Sequence, residues 1–421
     1  MSQTNDFALA NTGNTLNLNG ALTKNPRHQF SYNFTYRNLQ VIDSTVLKAV
    51  ELNSVLGEVN FTETVGKGWL RTTTQYQIGS GQRQQTEFYY EKVSNGMGNF
   101  VWLDNNNNGL EELDEFFPAN ENNLVEARYI RIVLPTGKYQ PTNIVQFNQA
   151  LFITPKAVWF NQKGIKKIIS LFSTQSSLSI RRETTLRTWQ AYLPLGDTPD
   201  FAQLVAESAN IQNALFINRN SPNWEVSVQQ LYLSVTNFLV NGADRRLKTE
   251  WKPGFRVAPS TKTMLRMASS IGKLGGISQA FATQNYRIRY WSIDPAADLV
   301  LNKRIRFTGS YTYKFSADYL TESLFPARQQ KLTAETQLGN AIKSNITARL
   351  SYAHISYKGA PNTAAAYNLL DGLLPGSNYL WSINLSTRLA NNMQLNFGYD
   401  GRKAGNSPMN HTGRASVQAL F

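Results

Sequence analysis

The segment "KRIRFTGSYTYKF", residues 303–315, sets Ile305, Phe307, Gly309, Tyr311, Tyr313 and Phe315 on one side of an extended chain and Arg304, Arg306, Thr308, Ser310, Thr312 and Lys314 on the other. Successive side chains of a β-strand point to opposite faces, so this period of two marks a strand with one apolar and one polar face. The same rule sorts "SNITARLSYAHISY" (344–357), "YLWSINLSTRL" (379–389) and "NMQLNFGYDGR" (392–402). Their polar faces carry Arg and Asn, which a packed core does not admit.

Working outward, about thirteen such strands are expected. They cover 142–153, 166–181, 210–219, 223–239, 243–256, 261–272, 279–293, 303–315, 327–338, 342–357, 378–389, 392–402 and 411–421. Several exceed the usual length of a soluble strand and reach the roughly 9–11 residues that a tilted strand needs to cross a bilayer. The connections 403–410, 390–391, 358–377, 339–341 and 316–326 alternate between longer and tight, as outer-membrane barrels do, and place the chain end on the periplasmic side. The join at 294–302 is longer than that alternation expects, and 182–209 is very long. Candidate membrane-interface aromatics are Tyr290, Trp291, Tyr311, Tyr357, Tyr379, Trp381, Tyr399 and Phe421.

The expected fold is therefore all-β. An antiparallel transmembrane-type β-barrel of about 12–14 or more strands spans 142–421. A small β-sandwich-like domain over 28–141 precedes it, and the Asn-, Thr- and Gly-rich residues 1–27 read as a linker or frayed edge. Charge supports the boundary near 141: the net +14 divides into 11 basic against 14 acidic residues before it, and 31 against 14 after it. No cysteine is present, which removes thiolate chemistry, zinc–thiolate sites and disulfides. No run of 18 apolar residues exists, so no transmembrane helix is expected. The first residues lack the basic and apolar parts of a signal peptide, and a processed or truncated piece of a longer protein is expected.

The most specific local motif is "DNNNNGLEELDE", residues 104–115, which fits the calcium-loop pattern D-x-[DN]-x-[DN]-G-x5-E. Asp104, Asn106 and Asn108 would offer side-chain oxygens, Leu110 its carbonyl, Glu112 a water-mediated contact and Glu115 a bidentate carboxylate, with Gly109 at the sharp turn. Asn in place of Asp at two positions lowers the charge, so weak Ca2+ binding is expected; a solvated Asn-rich turn is the alternative. The three histidines, His28, His354 and His411, are scattered and no nucleophile stands beside them, so no enzyme is expected. "IGKLGGIS" (271–278) lacks the phosphate-loop ending and reads as a loop. Arg287, Arg289, Arg304, Arg306, Arg349 and Arg388 alternate with aromatics. A nucleic-acid reader places both classes on one face; here they are assigned to a basic barrel lumen suited to an anionic solute or an acidic protein partner, with no nucleic acid.

Three blocks carry a family resemblance: "GMGNFVWLDNNNNGLEELDEF" with "ARYIRIVLPT", "LLDGLLPGSNYLWSINLSTRL", and "YDGRKAGNSPMNHTGRASVQALF". They resemble the C-terminal parts of large, poorly characterised outer-membrane proteins of Bacteroidota. That resemblance, from about residue 57 onward, implies an envelope location and a terminal barrel. Val101 to Glu115 is similar to the calcium loops of bacterial surface β-domains. The ending is similar to the signal read by the barrel-assembly machinery: Arg414 and Phe421 match it, whereas Ser416 stands where Gly is usual and Ala419 where a larger apolar residue is usual. The expectation is a protein of the bacterial outer membrane, in contact with its lipid, serving transport, secretion or surface assembly. The alternative is a secreted or surface-attached adhesin that binds polymers.

Overall fold

The computed structural model describes residues 11–42, 52–186, 188–194, 203–239, 242–320, 325–340, 344–389, 393–405 and 407–419. Nineteen strands form one hydrogen-bonded sheet network. In chain order they are β1 (Asn11–Asn25), β2 (His28–Val41), β3 (Leu52–Val65), β4 (Leu70–Lys92), β5 (Phe100–Trp102), β6 (Phe116–Pro118), β7 (Tyr129–Ile153), β8 (Phe172–Thr184), β9 (Leu204–Ile217) and β10 (Trp224–Leu239). They continue as β11 (Gly242–Val257), β12 (Thr263–Ser278), β13 (Tyr286–Asn302), β14 (Ile305–Asp318), β15 (Ala327–Asn340), β16 (Ser344–Ser356), β17 (Gly376–Leu389), β18 (Met393–Ala404) and β19 (Asn410–Ala419). Among the described residues helices are confined to α1 (Lys156–Trp159), α2 (Ile165–Ile169), α3 (Ala364–Leu369) and single 3₁₀ turns. Among the described residues no helix is long and apolar enough to cross a membrane.

The chain divides into two compact units. One comprises residues 1–85, 136–213 and 234–238, and the other 86–135, 214–233 and 239–421. This division differs from the expected boundaries. Residues 11–25, expected to be a linker, form β1, which pairs along its length with β2. Residues 28–141 do not form one domain, because they contribute to both units.

In the first unit β1, β2, β3 and β4 pair antiparallel in sequence order. The register puts Leu16, Leu18 and Leu22 beside Tyr36, Phe34 and Phe30 on one face, with Phe61 next to Phe30. The opposite face is a polar ladder in which Asn17 donates to Thr35 Oγ1 at 2.8 Å, Asn19 to Asn17 Oδ1 at 2.8 Å and Asn60 to Glu58 at 2.9 Å. Composition hid this strand: side-chain amides bond laterally along a sheet as readily as they fill a loop.

In the second unit β11 to β19 pair antiparallel, each with the next in sequence. The expected strands recur with shifted ends. β13 runs to Asn302, which removes the over-long join at 294–302. Pro295, which lacks an N–H, lies at the gap in the β13–β14 register between Ile293↔Tyr313 and Ala296↔Ser310. The glycine-rich 271–278, expected as a loop, lies inside β12, where Gly272 and Gly276 make room for the rings of Tyr290 and Tyr286.

The two faces of β11–β19 differ. One face is bare and presents Leu332 at 60% exposure and Leu350 at 59%. The other is covered near the strand ends by 93–128 and by 357–375, which carries α3. Val101, Phe117, Ala127, Tyr367, Leu369, Leu370 and Leu373 of these segments pack on Tyr286, Ile288, Ala327, Ala353 and Ile355 of the strands in one apolar cluster. Each buried leucine or isoleucine in such a cluster contributes roughly 1.5–3 kcal/mol. The region expected as an accessory sandwich is thus, from residue 93 to 128, part of a cap on the sheet. Two of the expected interface aromatics belong to this side: Tyr290 is buried among the inward residues and Tyr357 packs against the cap cluster.

Candidate functional site

The capped face of β11–β19 is lined with charge. Arg266 makes a two-pronged bond to Asp298 at 2.8 and 3.0 Å, and Thr308 donates to the same carboxylate at 2.8 Å. Arg349 donates to Glu335 at 2.9 and 2.7 Å, and Arg414 to Asp400 at 3.3 Å. Cations at fixed strand positions are thereby held in place by neighbouring carboxylates.

The cap is bonded to this face. Lys314 Nζ lies 2.7 Å from both oxygens of Asp371, Ser316 donates to the Leu369 carbonyl at 3.2 Å, and Lys331 donates to Asn122 Oδ1 at 2.9 Å. Arg402, with a side chain 2% exposed, reaches Glu126 at 3.1 Å and the Asn122 carbonyl at 3.1 Å. Removing Glu126 would leave the buried Arg402 guanidinium with the Asn122 carbonyl and no carboxylate, which is destabilising. Inside the cap, Tyr367 accepts from Asn123 at 2.8 Å and donates to the Pro118 carbonyl at 2.7 Å. Burial pushes the Tyr367 phenol up to about 12, so it stays a neutral donor at any physiological pH.

Beneath the cap lies a cavity of about 250 Å³ lined by Lys331, Arg349, Arg402 and Arg414, with Glu121, Asp400 and Ser382. Three of these cations are already bonded to carboxylates, Arg349 to Glu335, Arg402 to Glu126 and Arg414 to Asp400, while Lys331 bonds the neutral Asn122 amide, so a small anion would compete there for donors held in place. Of the arginines expected in a basic lumen, Arg349 lines this cavity. Arg306 and Arg388 stand on the same face at the far strand ends, opposite Gln337 and Gln394, and Arg304 lies in the β13–β14 turn. Arg287 and Arg289 are corrected: they alternate with buried Ile288 and Tyr290 and point to the bare face. Lys314, Lys331 and Arg402 were missed as site residues, although the parity of Arg349 and Thr312 extends to them through the register. Arg414 takes its place in the cavity wall; Phe421 lies outside the described residues.

The 104–115 loop belongs to the cap. Asp104 accepts from the Asn108 and Gly109 N–H groups at 3.1 and 2.9 Å, and Gly109 has a positive φ of 74°. Glu115 is fully buried and accepts from Trp102 Nε1 at 2.8 Å and Asn105 N at 2.9 Å. Glu112 takes the Asn106 amide at 2.5 Å. Among the described residues no group of three or more His, Cys, Asp or Glu is placed to hold a metal ion. In this arrangement the loop carboxylates are engaged by N–H donors, and calcium at Glu115 would compete with Trp102 and Asn105 for the lone pairs of the carboxylate.

No family model matches the chain, and no curated protein matches its sequence. Solved structures do. The outer-membrane expressed OmpT of Vibrio cholerae matches at a TM-score of 0.34 and 9% identity, over 90% of this chain and 98% of that one. A Pseudomonas aeruginosa FadL homologue matches at 0.30 and 11%, over 82% and 87%. The Pseudomonas putida toluene transporter TodX matches at 0.25 and 9%, over 97% and 88%. The expectation that the chain is not an enzyme is withdrawn: scattered histidines do not exclude a catalytic role.

Proposed function

We propose that this chain is a β-barrel protein of the bacterial outer membrane in which a basic passage, covered by the 93–128 and 357–375 cap, binds or passes a small anionic solute. One observation carries the reading. On β11–β19 every acidic residue, Asp244, Glu250, Asp294, Asp298, Asp318, Glu335 and Asp400, has the parity of the capped face, while the bare face is aliphatic and aromatic over its middle. A carboxylate facing lipid is costly and one facing water is not, so sorting this complete follows from a sheet with lipid on one side and water on the other. Strands of 10 to 17 residues are long enough for that crossing. The Bacteroidota affiliation rests on the sequence blocks alone, and passage of a solute on the charges at the cavity.

The absence of native cysteine gives a direct test. A single Cys at Leu332 or Leu350 is expected to react with a lipid-soluble maleimide and resist a membrane-impermeant one, whereas Cys at Thr347 or Ser386, on the capped face, reacts with the impermeant reagent. The folded chain is also expected to fractionate with outer membranes and to shift on SDS gels after heating. Equal labelling at all four positions, or a soluble pool with no heat shift, removes the membrane reading and leaves the adhesin alternative.

A further inference from the structure

The bare face of β11–β19 carries cations at one rim only. These are Arg245, Lys273, Arg287, Arg289, Arg328 and Lys403, and each lies toward the strand ends that join through the longer connections, such as 357–375. The register places Lys273 directly opposite Arg289 and Gly275 opposite Arg287, so these three cations crowd together on two neighbouring strands. On the far side of β14, Phe315 stands between Trp291 and Arg328. Lys273, Arg287, Arg289 and Arg328 are exposed, and among the described residues none of them is paired with a carboxylate. The Arg289 guanidinium lies over the Tyr319 ring at 4.8 Å.

Like charges directly opposite on a sheet repel. Among the described residues, strands β11–β19 place no carboxylate on this face, because theirs all have the other parity. Immediately toward the middle of the strands come Trp291, Phe315, Ile271 and Ile293, with the Trp291 and Phe315 rings 6.3 Å apart. Cations above, aromatics below and aliphatic surface beneath match a lipid with a phosphate headgroup: the phosphate sits among the cations and the acyl chains lie on the apolar band. The longer connections of such barrels face outward, which puts this rim in the outer leaflet.

We infer that Lys273, Arg287, Arg289 and Arg328 form a docking site for the phosphorylated headgroup of an outer-leaflet lipid. The inference rests on the membrane reading and adds a ligand class to it. Its test uses the full chain folded in phosphatidylcholine bicelles, titrated with bisphosphorylated lipid A or its dephosphorylated form and read by native mass spectrometry. Retention of the phosphorylated lipid alone is expected. Each cation near a charged surface is worth about fivefold in affinity, so Lys273→Gln with Arg289→Gln should weaken binding about 25-fold. Lys262→Gln, at the opposite strand ends, should leave it unchanged. Failure of the wild type to show a heat shift in the bicelles overturns the membrane reading and this inference with it. A normal heat shift with equal binding of both lipids, with no effect of the double substitution, or with full displacement by inorganic phosphate overturns the inference alone.

Discussion

Glu115 shows how one side chain can satisfy a motif and still be engaged elsewhere. The spacing from Asp104 to Glu115 was legible in the sequence because a calcium loop is a local pattern. The loop lies between β5 and β6, and pairing of those strands brings Trp102 opposite Phe116, one residue beyond Glu115. The indole N–H then finds the carboxylate at 2.8 Å. A buried carboxylate keeps its donors unless a stronger partner replaces them. Calcium is therefore expected to bind only in the millimolar range, as in weak extracellular modules, with a change in Trp102 fluorescence as the indole is released. Isothermal calorimetry on the full chain, with Asp104→Ala as control, checks this; no heat and no fluorescence change at millimolar calcium would leave Glu115 a purely structural residue.

Along β13 the polarity of the two faces inverts. At its start Tyr286 and Ile288 point into the apolar cluster beneath the cap and Arg287 and Arg289 point away; further on Asp294 and Asp298 face the polar side, and Ile293 and Leu299 the bare one. Alternation was readable from "RIRYWSI", but which parity faces inward was not, because arginine was taken as a lumen residue by its charge. The cap makes the inner face locally apolar, and nothing in β13 itself announces it. Strand β18 illustrates packing on the bare face: Trp381 lies over Gly401, where a Cβ would come within 2.1 Å of the indole. The glycine is required for space and not for a left-handed backbone. Gly401→Ala is expected to abolish the heat-shifted band or lower its midpoint by several degrees, and adding Trp381→Ala should recover part of the loss. Additive losses in the double variant, measured on the same gels, would show that the two positions act independently.

For the molecule as a whole, the cap decides what the basic cavity can do. Its covering segments are held by the Lys314–Asp371 and Arg402–Glu126 pairs and by the apolar cluster, so passage past Arg349 and Lys331 requires these contacts to loosen. In planar bilayers the wild type is expected to conduct weakly, and Asp371→Asn or replacement of 359–373 by a short Gly-Ser linker should raise the conductance severalfold. Anion preference should fall in the uncapped protein when Lys331 and Arg349 are changed to Gln, as read by the reversal potential in a salt gradient. Unchanged conductance after cap removal would show that the cap does not obstruct the path. The sequence by itself determined the all-β class, the strand positions of the later half and the separation of an apolar from a polar face, because alternation is a local property of each extended segment. The tertiary structure alone decided that 11–25 is a strand, that 93–128 is a cap and that Arg287 and Arg289 face away from it. Those outcomes depend on which distant segments share a face, and burial by a remote segment reverses the meaning of polarity without leaving a mark in the local pattern.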